Sequence, residues 1–359
     1  MNNFLSFFLS LYSFSADIHI LNDAPVLFDA KCLDGSPPIY YYRKGDSTGS
    51  EKWIIYFEGG AWCTSEEDCY KRSLDYLGTS KNLPESMDLN WDYFQNDERL
   101  NPLMHNWNKV YIHYCDGGSF SGNAEFTYKP TNSSTETKLY FKGKNIINAV
   151  FEDLKTNQGL YQATDVVISG SSAGGLTTFL HLDYIAEMLN PNSKIVGLPD
   201  GGYFLDFEGS PQYHSKMIWN FNIMNSKSGV DSKCIRNYIL EPSKCIFAEN
   251  VLPFIRTPIF ILQSNFDSWQ KDNIYGGNDE EGFNKFGNKM LSLLLKTIQT
   301  NKNVSGFIDS CLHHCGLWNQ IEIDKTTQAE AFFAWYNNIG KNIFIQDGKY
   351  LCEACCLPK

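Results

Sequence analysis

The stretch VVISGSSAGG at residues 166–175 decides the fold class of this chain. Its β-branched start leads to Gly170, Ser172 follows two residues later, Gly174 comes two residues after that, and residues 176–189 have the pattern of a helix. On a strained turn between a strand and a helix, a serine hydroxyl points away from the backbone, and flanking glycines let the two elements pass closely. The spacing therefore predicts a strand, a tight turn and a helix, with Ser172 as the candidate nucleophile.

Further apolar runs of strand length lie on both sides of this stretch, and residues 138–154 carry apolar residues at helical spacing. Continuous apolar runs are typical of strands that are buried on both faces of a parallel sheet. We expect an α/β fold with a mostly parallel sheet, helices on both faces, and an insertion over the site at about residues 207–250. The additional predicted strands are residues 53–57, 110–113, 195–198, 259–262 and 304–308.

The composition limits both the size of the core and the kind of partner. With 359 residues, 43% of them hydrophobic and 20% charged, the chain can bury a large core, and no Pro/Gly/Ser-rich linker divides it. We therefore expect residues 16–359 to form a single domain. The formal net charge of -11 argues against nucleic acid, heparin-like polyanions and anionic membrane surfaces, because all of these favour a basic face. A neutral or carbohydrate-like partner fits better.

The first residues have the features of a secretory signal peptide. Residues 1–15 contain an apolar run of the expected length, and Ser13 and Ser15 supply small residues before the expected cleavage site. No later stretch approaches the roughly 20 apolar residues that span a bilayer. We expect secretion to the extracellular space or cell wall and no stable membrane insertion. Two glycosylation sequons, at Asn132 and Asn303, agree with this route.

The eleven cysteines indicate disulfide formation in an oxidising compartment. Short spacings make Cys63 with Cys69 and Cys234 with Cys245 plausible local bridges, and the odd count leaves one thiol free or in an intermolecular bond. Zinc is the competing interpretation of the CEACC run at residues 352–356, but no second pair of cysteine or histidine ligands lies nearby. We expect neither a metal ion nor a cofactor.

A nucleophilic serine needs a histidine as a base and an acid that orients this histidine. In one common arrangement the acid and then the histidine follow the serine, each in a loop after a late strand. Beyond the helix that follows Ser172 lie only His214, His313 and His314, and His214 falls in the irregular insertion. His313 and His314 both follow the last predicted strand, and the residues alone leave the choice between them open.

Asp267 is the candidate acid. It closely follows the apolar run at residues 259–262 and precedes the loop that contains the two histidines. Asp200 and Asp206 also follow a strand, and we interpret them as turn-forming residues or substrate contacts.

Acyl transfer also requires backbone N–H groups that face the carbonyl oxygen as it gains charge. The residue after the nucleophile, here Ala173, supplies one, and a glycine-rich loop after an early strand supplies the others. The run EGGAW at residues 58–62 fits that loop, which makes Gly60 and Ala61 the candidate donors. The alternative interpretation is an ordinary turn at the end of a strand.

Five motifs follow one another along the chain: EGGAWC at 58–63, YCDGGSFSG at 114–122, GSSAGG at 170–175, DSWQ at 267–270 and SCLHHC at 310–315. Together they resemble the pectin acetylesterase family, which includes the Notum carboxylesterases. The resemblance also extends to CLDGSPP at residues 32–38 and to the cysteine-rich tail, so it covers nearly the whole chain after the predicted signal peptide. It implies a secreted, disulfide-bonded α/β hydrolase that cleaves acyl esters.

The resemblance also implies roles for individual residues. The nucleophile of the family falls on Ser172, its acid on Asp267, its histidine on His314, and its oxyanion loop on Gly60 and Ala61. The alanine departs from the bulkier residues or glycine of the family. The implied activity is removal of acetyl groups from an acetylated cell-wall polysaccharide such as pectin. Two alternatives remain: a Notum-like deacylase that removes a fatty acyl group from a secreted protein, and an inactive binding module on the same fold.

Overall fold

The computed structural model of the protein describes residues 15–131, 134–346, 348–350 and 356. Ten of the strands in this part of the chain form one sheet. The strands are β1 (Ser15–Ile20), β2 (Ile39–Arg43), β3 (Lys52–Phe57), β4 (Ser86–Asp88), β5 (Asn108–Ile112), β6 (Ala124–Tyr128), β7 (Thr137–Phe141), β8 (Asp165–Ser171), β9 (Lys194–Asp200), β10 (Ile259–Ser264), β11 (Val304–Asp309), β12 (Glu322–Ile323), β13 (Thr326–Thr327) and β14 (Ile343–Ile345). The helices are α1 (Ala24–Leu27), α2 (Glu66–Ser73), α3 (Gly143–Asn157), α4 (Ala173–Met188), α5 (Pro211–Ile223), α6 (Ser232–Asn237), α7 (Ala248–Val251), α8 (Ser268–Gln270), α9 (Glu280–Thr300) and α10 (Gln328–Tyr336).

The strand order in the large sheet is β14-β11-β10-β9-β8-β3-β5-β2-β1-β4. The seven strands from β14 to β5 run parallel to one another, whereas β2, β1 and β4 continue the sheet antiparallel. This arrangement confirms the predicted α/β class with a mostly parallel sheet. Since β8 lies between β3 and β9, the ends of these three strands meet at the centre of one sheet edge, where the nucleophile turn begins.

Alternating strand residues explain why the predicted strands are continuous apolar runs. In β3, Ile55 and Phe57 belong to the core on one face of the sheet, and Ile54 and Tyr56 belong to the core on the other. Helices α3, α4 and α9 pack on the first face, and α10 packs on the second. Each aliphatic or phenylalanine side chain buried in this way contributes about 1.5–3 kcal/mol before entropy costs.

The sequence prediction of a helix over residues 138–154 is wrong at its start. Residues 137–141 form β7, which pairs with β6 in an antiparallel hairpin, and α3 begins only at Gly143. Glycine is required at this position because a Cβ there would lie 2.4 Å from the Cα of Phe120. The predicted helix after the nucleophile begins earlier than expected, at Ala173.

Three helices, α5 to α7, occupy the region between β9 and β10 where the sequence predicts an insertion. This region contacts the segment that follows β3: Asn220 donates a hydrogen bond of 2.9 Å to the carbonyl oxygen of Cys63, and the ring of Tyr213 lies 6.4 Å from that of Trp62. The predicted bridge between Cys234 and Cys245 lies within it. That the insertion acts as a cap, and that residues 16–359 are a single domain, stay predictions.

The structure contains both predicted local disulfides, together with Cys32–Cys115 and Cys311–Cys356. Cys315 is a free thiol. Cys352 and Cys355 of the CEACC run lie outside the described residues, as do residues 1–14 of the expected signal peptide and Asn132 of the first sequon.

Within the described ranges, no helix is long and apolar enough to cross a membrane.

Candidate active site

The nucleophile turn, residues 170–174, joins β8 to α4. Ser172 has φ 57° and ψ −124°, a backbone conformation that costs a residue with a side chain about 1–3 kcal/mol. A Cβ at Gly170 would lie 2.4 Å from the carbonyl oxygen of Gly174, and a Cβ at Gly174 would lie 2.0 Å from that of Phe57. Only glycine on both sides therefore lets the strand, the turn and the helix approach this closely. The turn has the geometry in which a serine hydroxyl stands clear of the backbone.

The loop after β3 lies directly against this turn. A Cβ at Gly59 would be 2.4 Å from the carbonyl oxygen of Ser171 and 2.9 Å from the Cβ of Ser172. Gly60 has φ 144° and Ala61 has φ 54°, so both adopt positive φ angles. For alanine, this conformation costs about 1–2 kcal/mol. The structure thus brings Gly59 against the candidate nucleophile, and the two predicted loop residues, Gly60 and Ala61, follow it directly in the chain.

The buried carboxylate of Glu58 anchors the start of this loop. Its Oε2 accepts a hydrogen bond of 2.8 Å from the N–H of Tyr114 and lies 2.7 Å from Nδ1 of His113, while its Oε1 accepts a bond of 2.5 Å from the hydroxyl of Tyr76. Burial raises the pKa of Glu58, but these donors, His113 foremost, bring the pKa below its usual value. The hydroxyl of Tyr114 donates to the carbonyl of Ala61 at 2.8 Å. These bonds offset the cost of the strained alanine.

The motif at residues 114–122 is hydrogen-bonded to both the start of α4 and the loop after β3. The hydroxyl of Ser119 donates to the carbonyl of Ala173 at 2.8 Å and accepts a bond of 2.7 Å from Nε1 of Trp62. Ala173 is the first residue of α4, where N–H groups are left unused by the helix itself. One side chain therefore links the first turn of α4 to the loop after β3.

The loop after β11 contains both candidate histidines, and only one of them meets the candidate acid. Nδ1 of His314 donates a hydrogen bond of 2.8 Å to Oδ2 of Asp267. Asp267 is fully buried, and its Oδ1 caps α8 by accepting the N–H of Gln270 at 2.8 Å. The second ring nitrogen of His314, Nε2, has no hydrogen-bond partner among the residues that the structure describes. The imidazole is thus oriented through one nitrogen while the other is unused.

His313 is paired elsewhere. Its Nε2 lies 3.1 Å from both carboxylate oxygens of Asp309, the last residue of β11. Burial lowers the pKa of His313, but Asp309 outweighs burial and the pKa rises to about 9. The protonated imidazolium is therefore the stable form at neutral pH, which suits an ion pair and not a proton acceptor. The sequence alone left the choice between His313 and His314 open, and the geometry favours His314 as the base.

The loop with His314 also contacts the nucleophile turn. The thiol of Cys315 donates at 3.8 Å to the carbonyl oxygen of Asp200, which also accepts the N–H of Ser172 at 2.9 Å. Burial raises the pKa of this thiol well above its usual value. The N–H of Gly316 donates at 2.7 Å to Oδ2 of Asp200, a carboxyl whose pKa burial raises to about 6. Thus the residues on the C-terminal side of His314 are fixed against the turn that contains the serine.

An aromatic cluster of Trp62, Phe204 and Trp269 lies beside His314. The three ring centroids are 4.8, 5.2 and 5.8 Å apart, and the rings of Phe204 and Trp269 each lie 6.0 Å from the imidazole. Trp269 follows the candidate acid in the DSWQ motif. Phe204 was missed by sequence reasoning, because nothing in its neighbourhood distinguishes it from a core residue.

The remaining candidates lie apart from this constellation. His214 pairs with Asp206 at 2.9 Å through Nδ1 and stacks on Phe247 in the insertion. Among the described residues, no hydrogen bond joins His214 or Asp206 to Ser172 or Asp267. Among the described residues, no group of three or more histidine, cysteine, aspartate or glutamate side chains could hold a metal ion.

Comparison with known proteins adds three findings. The profile of the pectinacetylesterase family matches residues 11–282. Pectin acetylesterase 5 of Arabidopsis thaliana is 32% identical over an alignment that covers 91% of this chain and 82% of that protein. The palmitoleoyl-protein carboxylesterase NOTUM of Drosophila melanogaster is 31% identical, with 85% of this chain and 46% of that protein covered.

A solved structure extends the likeness to the fold. The structure of the Wnt deacylase Notum from Drosophila superposes with a TM-score of 0.79 at 26% sequence identity. The match covers 95% of this chain and 99% of the other. The α/β-hydrolase architecture predicted from the sequence is therefore confirmed.

Proposed function

This chain belongs to the pectinacetylesterase family, and we propose that it is a secreted serine carboxylesterase that removes acetyl groups from an acetylated cell-wall polysaccharide such as pectin. The observation that carries the proposal is the 2.8 Å hydrogen bond between His314 and Asp267, in a loop whose Cys315 shares the carbonyl oxygen of Asp200 with the N–H of Ser172. The Arabidopsis relative aligned over most of both chains is named a pectin acetylesterase. Four disulfides support passage through an oxidising compartment.

The first half of the reaction forms an acyl-enzyme. The Oγ of Ser172 attacks the carbonyl carbon of the ester while Nε2 of His314 takes the hydroxyl proton. Asp267 keeps the imidazole in the tautomer with the proton on Nδ1 and stabilises the imidazolium that forms. The N–H groups of Gly60, Ala61 and Ala173 stabilise the tetrahedral oxyanion. The sugar hydroxyl then leaves with the proton from His314.

The second half restores the enzyme. His314 takes a proton from water as the water attacks the acetyl-serine, and it returns this proton to Oγ of Ser172 as acetate leaves. No group other than the side chains and backbone amides already named is needed, and the chemistry requires no cofactor or metal ion.

The aromatic cluster supports a short acyl group. The rings of Trp62, Phe204 and Trp269 are in contact with one another beside His314, so the space on this side of the imidazole is filled by the protein. Trp62 and Phe204 are buried, and the partly exposed ring of Trp269 is the part of the cluster that suits stacking against a sugar ring.

A second candidate function follows from the superposition with the Wnt deacylase Notum. In that case the chain would remove a long fatty acyl group from a secreted protein through the same Ser172 chemistry. This activity would need a deep apolar pocket next to the serine. A third possibility, an inactive binding module, would leave Ser172 without reactivity toward electrophiles.

Substrate comparison tests these alternatives. Acetate release is measured from acetylated pectin, acetylated xylan and p-nitrophenyl acetate, beside release of fatty acid from a palmitoleoylated peptide. We expect acetate release from pectin, and a loss of about 10⁴-fold in kcat for a folded Ser172→Ala variant, because only binding and the oxyanion hole remain. If the protein cleaves only the palmitoleoylated peptide and none of the acetyl esters, the proposed acetylated substrate is rejected in favour of a fatty acyl one. A Ser172→Ala variant with near wild-type turnover would refute the serine mechanism.

A further inference from the structure

Asp200 is a buried carboxylate that the proposed mechanism does not use. It is the last residue of β9, and its side chain is 1% exposed. Its Oδ2 accepts hydrogen bonds from the hydroxyl of Tyr93, from the N–H of Gly316 at 2.7 Å and from the hydroxyl of Ser171 at 3.3 Å. The three donors come from three separate segments of the chain. A single oxygen therefore joins them.

The backbone of Asp200 holds the nucleophile turn as well. Ser171 is its register partner in the pairing of β8 with β9, and the N–H of Ser172 donates to its carbonyl oxygen at 2.9 Å. Ser172 has a strained backbone, so its conformation persists only if its surroundings hold it. The end of β9 is one of these supports.

The next residue, Gly201, contacts the loop that contains the candidate base. It has φ 55°, and a Cβ there would lie 2.5 Å from the carbonyl oxygen of His314 and 2.7 Å from Sγ of Cys315. Two residues beyond His314, the N–H of Gly316 reaches the Asp200 carboxylate. The β9 turn is thus in contact with both partners of the proposed proton transfer.

We propose that Asp200 is a positioning residue, which fixes the loop with His314 relative to the turn with Ser172 through its shared carboxylate oxygen. The proposal rests on the proposed function, because it presumes that these two residues exchange a proton. Hydrogen bonds to a charged acceptor are roughly twice as strong as neutral ones, and loss of the acceptor would leave buried donors unpaired. A displacement of about 1 Å between reacting groups can cost on the order of 10²-fold in rate.

Kinetics of Asp200 variants on p-nitrophenyl acetate test this inference. For Asp200→Ala we expect kcat to fall roughly 30–100-fold while KM stays within about threefold, because the reacting groups are misaligned but the substrate surface is intact. Asp200→Asn keeps one acceptor oxygen and should recover part of the loss. The matched control is Asp165→Asn, which removes a carboxylate that accepts the hydroxyl of Tyr336 at the start of β8, the end of the strand far from the nucleophile turn, and its kcat should stay within about twofold.

A second measurement distinguishes positioning from stability. The rate at which a fluorophosphonate modifies Ser172 should fall in parallel with kcat in Asp200→Ala, since this reaction needs the aligned serine and histidine but no substrate. A folded Asp200→Ala variant with wild-type kcat, or with a change in KM alone, would overturn the proposal. If Asp200→Ala does not fold, Asp200→Asn decides: reduced kcat at unchanged KM supports positioning, and wild-type kcat rejects it.

The two proposals fail in different ways. If Ser172→Ala is inactive and Asp200→Ala is fully active, only the positioning role is rejected. If Ser172→Ala retains its activity, the proposed serine mechanism is rejected, and the role of Asp200 falls with it.

Discussion

The two adjacent histidines in the loop after β11 each pair with a carboxylate, and the pairs differ in the ring nitrogen that meets the carboxylate. His314 meets Asp267 through Nδ1 at 2.8 Å, and His313 meets Asp309 through Nε2 at 3.1 Å. Both acids are fully buried. The imidazole of His314 is 22% exposed, and that of His313 is 10% exposed.

Both histidines are paired with a carboxylate, so the orientation of the imidazole, and not the pairing, distinguishes a base from a structural ion pair. A histidine held through Nδ1 presents its outer nitrogen, Nε2, to a neighbouring hydroxyl, which is the arrangement of a catalytic triad. A histidine held through Nε2 has used its outer nitrogen. Its remaining Nδ1 lies close to the backbone, and in His313 this atom has no hydrogen-bond partner within the described part of the chain. The first pair is suited to proton transfer and the second to stability.

Of the substitutions considered, removal of His314 from the pair with Asp267 should cause the greatest loss of kcat. His314→Ala should lower kcat on an aryl acetate by about 10⁴-fold with the fold retained, because it removes the proposed acceptor of the serine proton. Circular dichroism and the unfolding midpoint confirm that the variant is folded.

His313→Ala is the matched control for this loss, since it removes an imidazole from the same loop. Its kcat should fall by less than about tenfold, because His313 acts on the loop and not on the ester. Equal losses in the two variants would contradict the distinction between the pairs.

The second pair should affect stability as a function of pH. The pKa of His313 is raised to about 9 in the folded protein from an ordinary value near 6.5. Its contribution to the free energy of unfolding is therefore fully present below about pH 6.5 and is lost as pH rises through 9, a change of up to roughly 3 kcal/mol. Urea unfolding at pH 6, 7.5 and 9 measures it.

His313→Gln and Asp309→Asn should each reduce this decline, because each removes one partner of the ion pair. If the stability of both variants falls with pH as steeply as that of the wild type, the ion pair is not its source.

The weakest effect on activity is expected for a substitution beside the pair of His314 and Asp267. Trp269 stacks near the His314 ring and closes the aromatic cluster. Trp269→Ala should lower kcat/KM for an aryl acetate by only a few-fold, and raise the ratio of octanoate to acetate cleavage by roughly tenfold, since the removed ring opens space for a longer chain. Chain-length profiles with aryl esters measure this ratio. An unchanged profile would mean that Trp269 does not limit the acyl group.

The sequence alone was sufficient to predict the central strands of the sheet, but not the antiparallel strands at one of its edges. The predicted strands at residues 53–57, 166–168 and 259–262 are apolar on both faces and lie in the middle of the sheet. The antiparallel strands β1, β2 and β4 were not predicted, because tyrosines and charged residues dilute their apolar pattern. The sequence predicts a helix for residues 138–141 because their spacing continues that of α3, and the pairing with β6 overrides this local preference.

The candidate site was predictable where a chemical requirement fixes the residue type and its spacing. Ser172 and its glycines are such a case, because the close backbone contacts leave no alternative side chain. The choice of His314 required either a family resemblance or coordinates, since adjacent histidines have no distinguishing local signal. The hydrogen bonds of Asp200 join residues 107 and 116 positions distant in the chain, and no local pattern encodes them.

The most direct test of the account is the mapping of a fluorophosphonate adduct by peptide mass spectrometry. We predict one adduct, on Ser172, which disappears in Ser172→Ala but persists in Ser171→Ala, where the adjacent hydroxyl is removed. We also predict that the His314→Ala variant is labelled much more slowly than the wild type, whereas the His313→Ala variant is labelled at a rate near wild type. This result would agree with His314 as the base. An adduct on another serine, or undiminished labelling of Ser172→Ala, would contradict the assignment of the nucleophile.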